Sequence, residues 1–473
     1  MIRSYPKALL GLIVPALLGC AQPDTATETY DIVIQGGRVM DPASGLDGLR
    51  SIAIRDGRIA AISENTLTGT RVIEATGLVV APGFIDLHAH GQSEEAFALM
   101  VQDGVTTAFE LEVGTGDVAA WYSAREGGQL LNYGVSIGHI PVRMAVMGDE
   151  GDFLPSGPGG NAPATSEHIA EMQRRIDEGM AQGAVAVGFG LAYTPAATTA
   201  EYEAMLRVAA TRGATSHIHV RSGPGGAREA IAGAAQTGAA LHIVHANSSG
   251  GAGIADFLAA IEQARAGGQD VTTEAYPYEA GMTRIESALF DDWQSWEEDR
   301  FGIHQWAATG ERLTRESFAR YREQGGAVII HSRTEEMTRT AMASPLTMIA
   351  SDGFLSNGQG HPRTSGTYAK VLGKYVREEG VITLMDALRR MTIAPARRLE
   401  AYVPALARKG RLEIGADADL TVFDAATVID QATYVEPTRP SKGISFVLVN
   451  GVLVVDEGML VESVRPGRAV RKR

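Results

Sequence analysis

Two stretches of apolar–polar alternation lie near opposite ends of this chain, separated by a long region of purely apolar runs. Residues 30–80 contain YDIVIQGGRVMD, SIAIRDGRIAAIS and RVIEATGLVV with turn residues between them, the two-residue period of half-buried antiparallel strands. The texture returns over 411–460 in RLEIGADADLTVFDA and GISFVLVNGVLVVDEG, where Asn450-Gly451 is a hairpin turn. The two fragments pair most simply into one small β-sandwich domain, over 30–80 and 408–473.

Between them, short apolar strands alternate with helical stretches. The predicted strands are Phe84–His88, Val105–Glu112, Val135–Ile140, Ala184–Phe189, Thr215–Val220, Ala240–Ala246, Val271–Tyr276 and Thr347–Asp352. Stretches such as 166–182 and 199–212 carry the apolar stripe of helices packed on a sheet. Eight strands with interleaved helices predict an α/β fold, a (β/α)₈ TIM-like barrel over 81–407. The segment 284–345 is too long for a simple connection and predicts a helical lid or subdomain over the barrel mouth. His88, Glu112, His219, His245 and Asp352 all fall at or just past strand ends, the end of such a barrel where chemistry resides.

Composition narrows the class. A chain of 473 residues with 45% apolar and 21% charged residues is globular. Its formal charge of -14 and lack of a basic run argue against nucleic acid. At the N-terminus, Arg3 and Lys7 precede an apolar segment, Ala8 to Leu18, too short to span a bilayer, which reads as a secretory signal over 1–19. It ends in Leu17-Leu18-Gly19-Cys20, which resembles the bacterial lipobox, and Cys20 is the only cysteine. The resemblance implies an exported protein lipid-anchored through Cys20 and, with Ala21 following, held at the outer membrane facing the periplasm. The alternative is an ordinary cleaved signal with Cys20 incidental. Residues 20–29 would form a polar tether.

The candidate chemistry starts from GLVVAPGFIDLHAHG. His88 and His90 are two apart on a strand, so both imidazoles reach one face and can grip one ion. Imidazoles holding Zn²⁺ with an open position lower the pKa of a bound water, and Asp352 in IASDG can take that proton and return it to a leaving amine. His217 shares a face with His219, so spacing leaves both open as ligands. His242 and His245 differ by an odd number, which predicts His242 packed or outward. His139, in GHIPVR, reads equally as a buried structural histidine or as support for the ligands.

PGFIDLHAHG, the strand-end histidines His219 and His245, and IASDG together resemble the amidohydrolase superfamily. Within it, TEAYPYEAGMT and HPRTSGTYAKVLGKYVRE resemble the N-acyl-D-amino-acid deacylase (D-aminoacylase) branch, over nearly all of the mature chain. The resemblance implies His88, His90, His219, His245 and Asp352 as metal ligands, one or two Zn²⁺ ions, and Asp352 as the catalytic proton shuttle. At the second strand the branch has a cysteine ligand, whereas this chain reads GVTTAFELEVG. Glu112 is the natural substitute and could bridge two cations, with Glu110, two residues deeper, as the fallback. The fourth strand, AVAVGFGLAYTP, has no lysine, which removes the carbamylated-lysine bridge of hydantoinase-like relatives. Where the branch carries a lysine after the sixth-strand ligand, this chain has Asn247. Tyr193, Arg221, Tyr276 and Arg363 are the candidate substrate contacts, with Arg284 and Tyr278 also nearby.

These features predict a metal-dependent hydrolase of a linear amide, an N-acyl amino acid or dipeptide-like small molecule. A cyclic amidase or carbamoyl hydrolase on the same barrel is the rival enzyme. A surface lipoprotein that binds metal or ligand without turnover is the rival of another class. Association into a homo-oligomer stays open.

Overall fold

The apolar runs of the central region form eight parallel strands, which we number β1 to β8: Phe84–Asp86, Val105–Thr115, Asn132–Gly138, Val187–Gly190, Thr215–His219, Ala240–Ile243, Val271–Ala275 and Thr347–Ile349. They come from a computed structural model that describes residues 1–2 and 29–472. Cys20, the apolar segment before it and the tether up to residue 28 lie outside the described residues. The eight strands hydrogen-bond in sequence order. The ring closes where Ala89, just past β1, bridges Gly353, just past β8, and the His90 amide donates to the Gly353 carbonyl at 2.8 Å. Each expected strand is present, but several end two or three residues early because the chain leaves the ladder as it turns into the barrel mouth.

Strands of a parallel barrel are covered on both faces, which is why they read as apolar runs rather than alternations. Phe109, Val187, Phe189, Ile218, Leu241 and Ile243 are all buried in the barrel core. The helix Ser166–Ala181 shows how the outer ring attaches. Thr165 caps it by accepting from the His168 amide, and Met172, Ile176 and Met180, four apart, bury one stripe. Burying each side chain contributes roughly 2 kcal/mol, whereas Glu171, Arg174 and Glu178 pair on the opposite, solvated face.

Both chain ends do meet in one sheet of nine strands. Val79–Pro82 joins them, pairing with Tyr30–Asp41 on one side and Leu420–Phe423 on the other. The sheet encloses its own core of Ile34, Ile52, Ile73, Val80, Leu420 and Leu448. It is not purely antiparallel as the alternation suggested, since Tyr30–Asp41 runs parallel to both Gly69–Glu74 and Val79–Pro82. The first strand serves both because it is broken at Gly36–Gly37: Gly36 has φ 68°, and a Cβ on Gly37 would lie 2.5 Å from Val80 Cγ2.

The long insertion is a small α/β unit rather than a helical lid. Gly281–Arg284, Ala327–Ile330 and His304–Trp306 form a three-stranded antiparallel sheet. Ile285, Phe290, Trp296, Phe301, Trp306 and Phe318 fill its core. Strands of three or four residues set no measurable period, so the aromatic-rich sequence read as helix.

Candidate metal centre and its cavity

Four imidazoles and two carboxylates converge at the carboxyl ends of the barrel strands. His88 and His90 follow β1, and their Nε2 atoms face each other at 3.0 Å. His245 follows β6, and its Nε2 faces Nδ1 of His219, at the end of β5, at 3.1 Å. Glu112, near the end of β2, lies between the two pairs. Its Oε2 is 2.7 Å from His88 Nε2 and 3.6 Å from His245 Nε2, and its Oε1 is 3.0 Å from His219 Nδ1. Asp352 closes the other side, with Oδ1 3.5 Å and 3.3 Å from Nε2 of His88 and His90.

The donors therefore fall into two sets that share Glu112: His88, His90, Glu112 and Asp352, and Glu112, His219 and His245. Two imidazole nitrogens bound to one tetrahedral zinc stand roughly 3 to 3.5 Å apart, so both pairs have the spacing of a shared cation. The residues fit one metal per set with Glu112 between them. The β2–β3 register shifts between Glu110 and Thr115, an irregularity at the strand end that goes with the placement of Glu112.

The first two imidazoles are held from behind. Nδ1–H of His88 donates to Glu274 at 2.6 Å, and Nδ1–H of His90 donates to Glu110 at 2.6 Å, which leaves both Nε2 lone pairs facing the centre. Glu110 is itself fixed by the amides of Val113 and Gly114, each at 3.2 Å. Glu110 falls in neither donor set and instead backs His90. Asp86 accepts from the amides of His88 and Ser351 at 3.0 and 3.1 Å, tying β1 to the segment after β8. Burial pushes the Asp86 carboxyl up to about 6, against those bonds. Burial also disfavours ionised Glu112 and Glu274, but the surrounding histidines outweigh it and hold both below the usual carboxylate range.

Two residues of the site carry backbone strain. His245 has φ 35° and Asp352 has φ 52°, left-handed values that cost non-glycine residues energy. The turn at His245 breaks strand parity. His242 consequently does not point outward: it is buried inside the barrel, with Nε2 3.0 Å from Glu274 and its ring 4.6 Å from that of His217. His217 bonds Thr215 at 3.1 Å and falls in neither donor set, and burial holds its pKa well below the ordinary value. His139 pairs with Glu201 at 2.8 Å beside Arg143, a structural arrangement away from the cluster.

A cavity of about 190 Å³ opens above the cluster. Tyr193, Tyr276 and Arg363 line it, as expected. Tyr193 sits edge-on to His219, with ring centroids 4.8 Å apart, and its hydroxyl accepts from Thr283. Arg363 pairs with Asp352 Oδ2 at 2.8 Å and lies over the Tyr276 ring at 4.6 Å. Arg221 is displaced from its expected role: Glu229 holds it at 2.6 Å and its other arm donates to the Ala197 carbonyl, outside the cavity lining. Its strand-end position suggested a substrate contact, but the helix beginning at Pro224 brings Glu229 back onto it. Asn247 donates to the Tyr276 carbonyl and also stands outside the lining.

Three residues escaped the sequence reading. Glu274 and Asp86 had a usable signal, an acid inside an apolar strand, which burial forbids unless it is paired. Arg333, in the insertion, had none.

Residues 142–455 match the sequence profile of the amidohydrolase family. The chain is 33% identical to an N-acyl-D-glutamate deacylase of Alcaligenes xylosoxydans xylosoxydans, over 94% of this chain and 97% of the relative. It is 30% identical to a D-aminoacylase of the same organism, over 91% and 96%. Among solved structures, N-acyl-D-glutamate deacylase from Bordetella bronchiseptica, complexed with zinc and a phosphonate inhibitor, superposes with a TM-score of 0.82. That similarity covers 94% of this chain and 100% of the other at 29% identity.

Proposed function

Since the chain belongs to the amidohydrolase family, we propose that it is a zinc-dependent hydrolase of a linear amide bond, acting on N-acyl amino acids or dipeptide-like molecules. One observation carries the reading: Glu112 is shared by two imidazole pairs, with Asp352 and an open cavity beside them. His88, His90 and Asp352 would hold one ion, His219 and His245 the other, with Glu112 common to both. Zinc at such a site polarises the scissile carbonyl and acidifies the attacking water.

The chain's own groups supply the rest. Asp352 is ionised, because Arg363, His88 and His90 outweigh the cost of its burial and hold its carboxyl well below the usual range. A carboxylate in that state can accept the water's proton and return it to the leaving nitrogen. Its Oδ1 faces His88 and His90 while Arg363 holds Oδ2 at 2.8 Å. Tyr193 and Tyr276 wall the cavity and restrict water around the scissile bond.

The test is a panel of N-acyl-D- and N-acyl-L-amino acids and dipeptides, assayed for amine release after chelation and after zinc is restored. Turnover that survives complete metal removal overturns the mechanism, and release from cyclic amides alone overturns the substrate class.

The same reading places the enzyme in the cell envelope as a lipoprotein anchored through Cys20. The apolar stretch ending in LLGC and the single cysteine support this. The substrate would then be a small molecule of the periplasm.

A further inference from the structure

Three guanidinium groups line the cavity, and two of them are committed. Arg363 faces Asp352 at 2.8 Å. Arg284 pairs with Glu286 at 2.8 Å and with Asp152 at 3.3 Å. Arg333 differs. Its Nη1 donates to Ser248 Oγ at 3.1 Å, its Nη2 donates to the Tyr276 hydroxyl at 2.8 Å, and its buried Nε has no partner. Among the described residues no carboxylate pairs with it.

A guanidinium taken from water without a counter-anion loses free energy, so its retention in a cavity wall calls for an anion from elsewhere. The neighbours favour the same conclusion. Hydroxyls such as Ser248 and Tyr276 can hold the fork and also donate to an incoming oxygen, which a carboxylate in their place could not. The Tyr276 ring is approached both by Arg333, at 5.6 Å, and by Arg363, at 4.6 Å. Of the two, only Arg363 is paired with Asp352. Asn247, on the adjacent turn, is neutral and turned away to the Tyr276 carbonyl.

We propose that Arg333, carried by the insertion, is the specificity residue that selects substrates with a free carboxylate, binding that group together with the Tyr276 hydroxyl. The assignment rests on the reading of the cavity as the site of N-acyl amino-acid hydrolysis. Arg333 touches the substrate end that does not react, so it governs binding and leaves the proton shuttle to Asp352.

A ligand that cannot be hydrolysed separates the two readings. In 2-isobutyl-4-oxopentanoate a methylene replaces the N–H of an N-acetyl amino acid, and 2-isobutyl-4-oxopentanamide is its uncharged counterpart. By calorimetry on the purified zinc-loaded protein, the carboxylate should bind at least ~10-fold tighter than the amide, as for other charge-assisted contacts. Arg333→Met and Arg333→Gln should bind the two alike, with unchanged zinc content, and Arg333→Lys should keep part of the preference. With an N-acyl amino acid as substrate, the first two variants should raise KM far more than they lower kcat. The assignment is overturned if the native protein shows no preference for the carboxylate, or if both uncharged variants keep it. Should the native protein show the preference yet release amine from no N-acyl compound, the hydrolase reading fails and the carboxylate site stands.

Discussion

Glu274 holds Nδ1 of His88 at 2.6 Å, joining β7 to the first ligand pair across 186 positions of sequence. Its second oxygen reaches His242, so one carboxylate fixes both a ligand and the histidine beneath it. Glu274→Gln keeps the shape but weakens the acceptor that sets the tautomer of His88. Zinc affinity, read by competition with a chelating dye, should fall about 10- to 100-fold while the far-ultraviolet spectrum stays unchanged. Undiminished affinity would remove Glu274 from the site.

Glu112 and Glu110, two residues apart, should separate in a metal assay. Glu112→Gln replaces the carboxylate common to both donor sets with a neutral amide that has one oxygen, so the bound metal per chain should drop along with the rate. Glu110→Gln loosens only His90 and should lower zinc affinity about 10-fold while retaining the full stoichiometry at saturating metal. Elemental analysis at several zinc concentrations distinguishes the two. Equal losses in both variants would refute the bridging position of Glu112.

Asp352→Asn retains the volume of the side chain and its reach to Arg363, but it cannot accept a proton. The rate should decline at least ~10²-fold, the lower end for general acid–base catalysis. Steady-state kinetics on metal-saturated protein provides the measurement, and near-native turnover would transfer the shuttle to another group.

The insertion should weaken in mild acid through His304. Burial among Trp296, Phe290 and Phe318 drops its pKa to about 4, although backbone contacts favour the charged form. Folded His304 stays neutral while the unfolded chain protonates near its ordinary value of about 6.5, so stability declines as pH falls through 6.5 and levels off near 4. The loss amounts to about 3 kcal/mol at most. Three of the four tryptophans lie in the insertion, so unfolding followed by tryptophan fluorescence between pH 7 and 5 reports on it. His331, in the same insertion, is lowered by burial to about 4 as well, so His304→Phe should reduce that pH dependence without abolishing it, and an unchanged slope would exclude His304 as a source.

Cys20→Ala should move the protein from the membrane fraction to the soluble periplasmic fraction. A mutant that withstands carbonate washing of the membranes would rule out the lipid anchor.

The barrel was legible in the sequence because strands covered on both faces leave an apolar run that no other element needs, and the residues that converge in the cluster were legible because they end those runs. The sequence favours Glu112 over Glu110 because it lies nearer the strand end and beside the cysteine position of the resembling branch. Arg221 was placed by its strand-end position, which a returning helix overrides, and the outward option for His242 rested on a strand parity that the left-handed His245 breaks. The insertion was legible as a lid or subdomain, but its sheet was not, because its strands are three or four residues long. Arg333 was invisible because its significance lies in which carboxylates are absent around it, a property of three-dimensional neighbourhood alone.

The bond between the His90 amide and the Gly353 carbonyl has a consequence for the order of synthesis. Asp86 and Ser351, which flank this closure, are 265 residues apart, so a growing chain presents His88 and His90 long before Asp352 exists. During that interval the early histidines can scavenge an ion but lack both the proton acceptor and the wall opposite. On the proposed mechanism, competence waits until the last strand docks against the first. A truncation anywhere before Asp352 would leave a chelator instead of a slower enzyme.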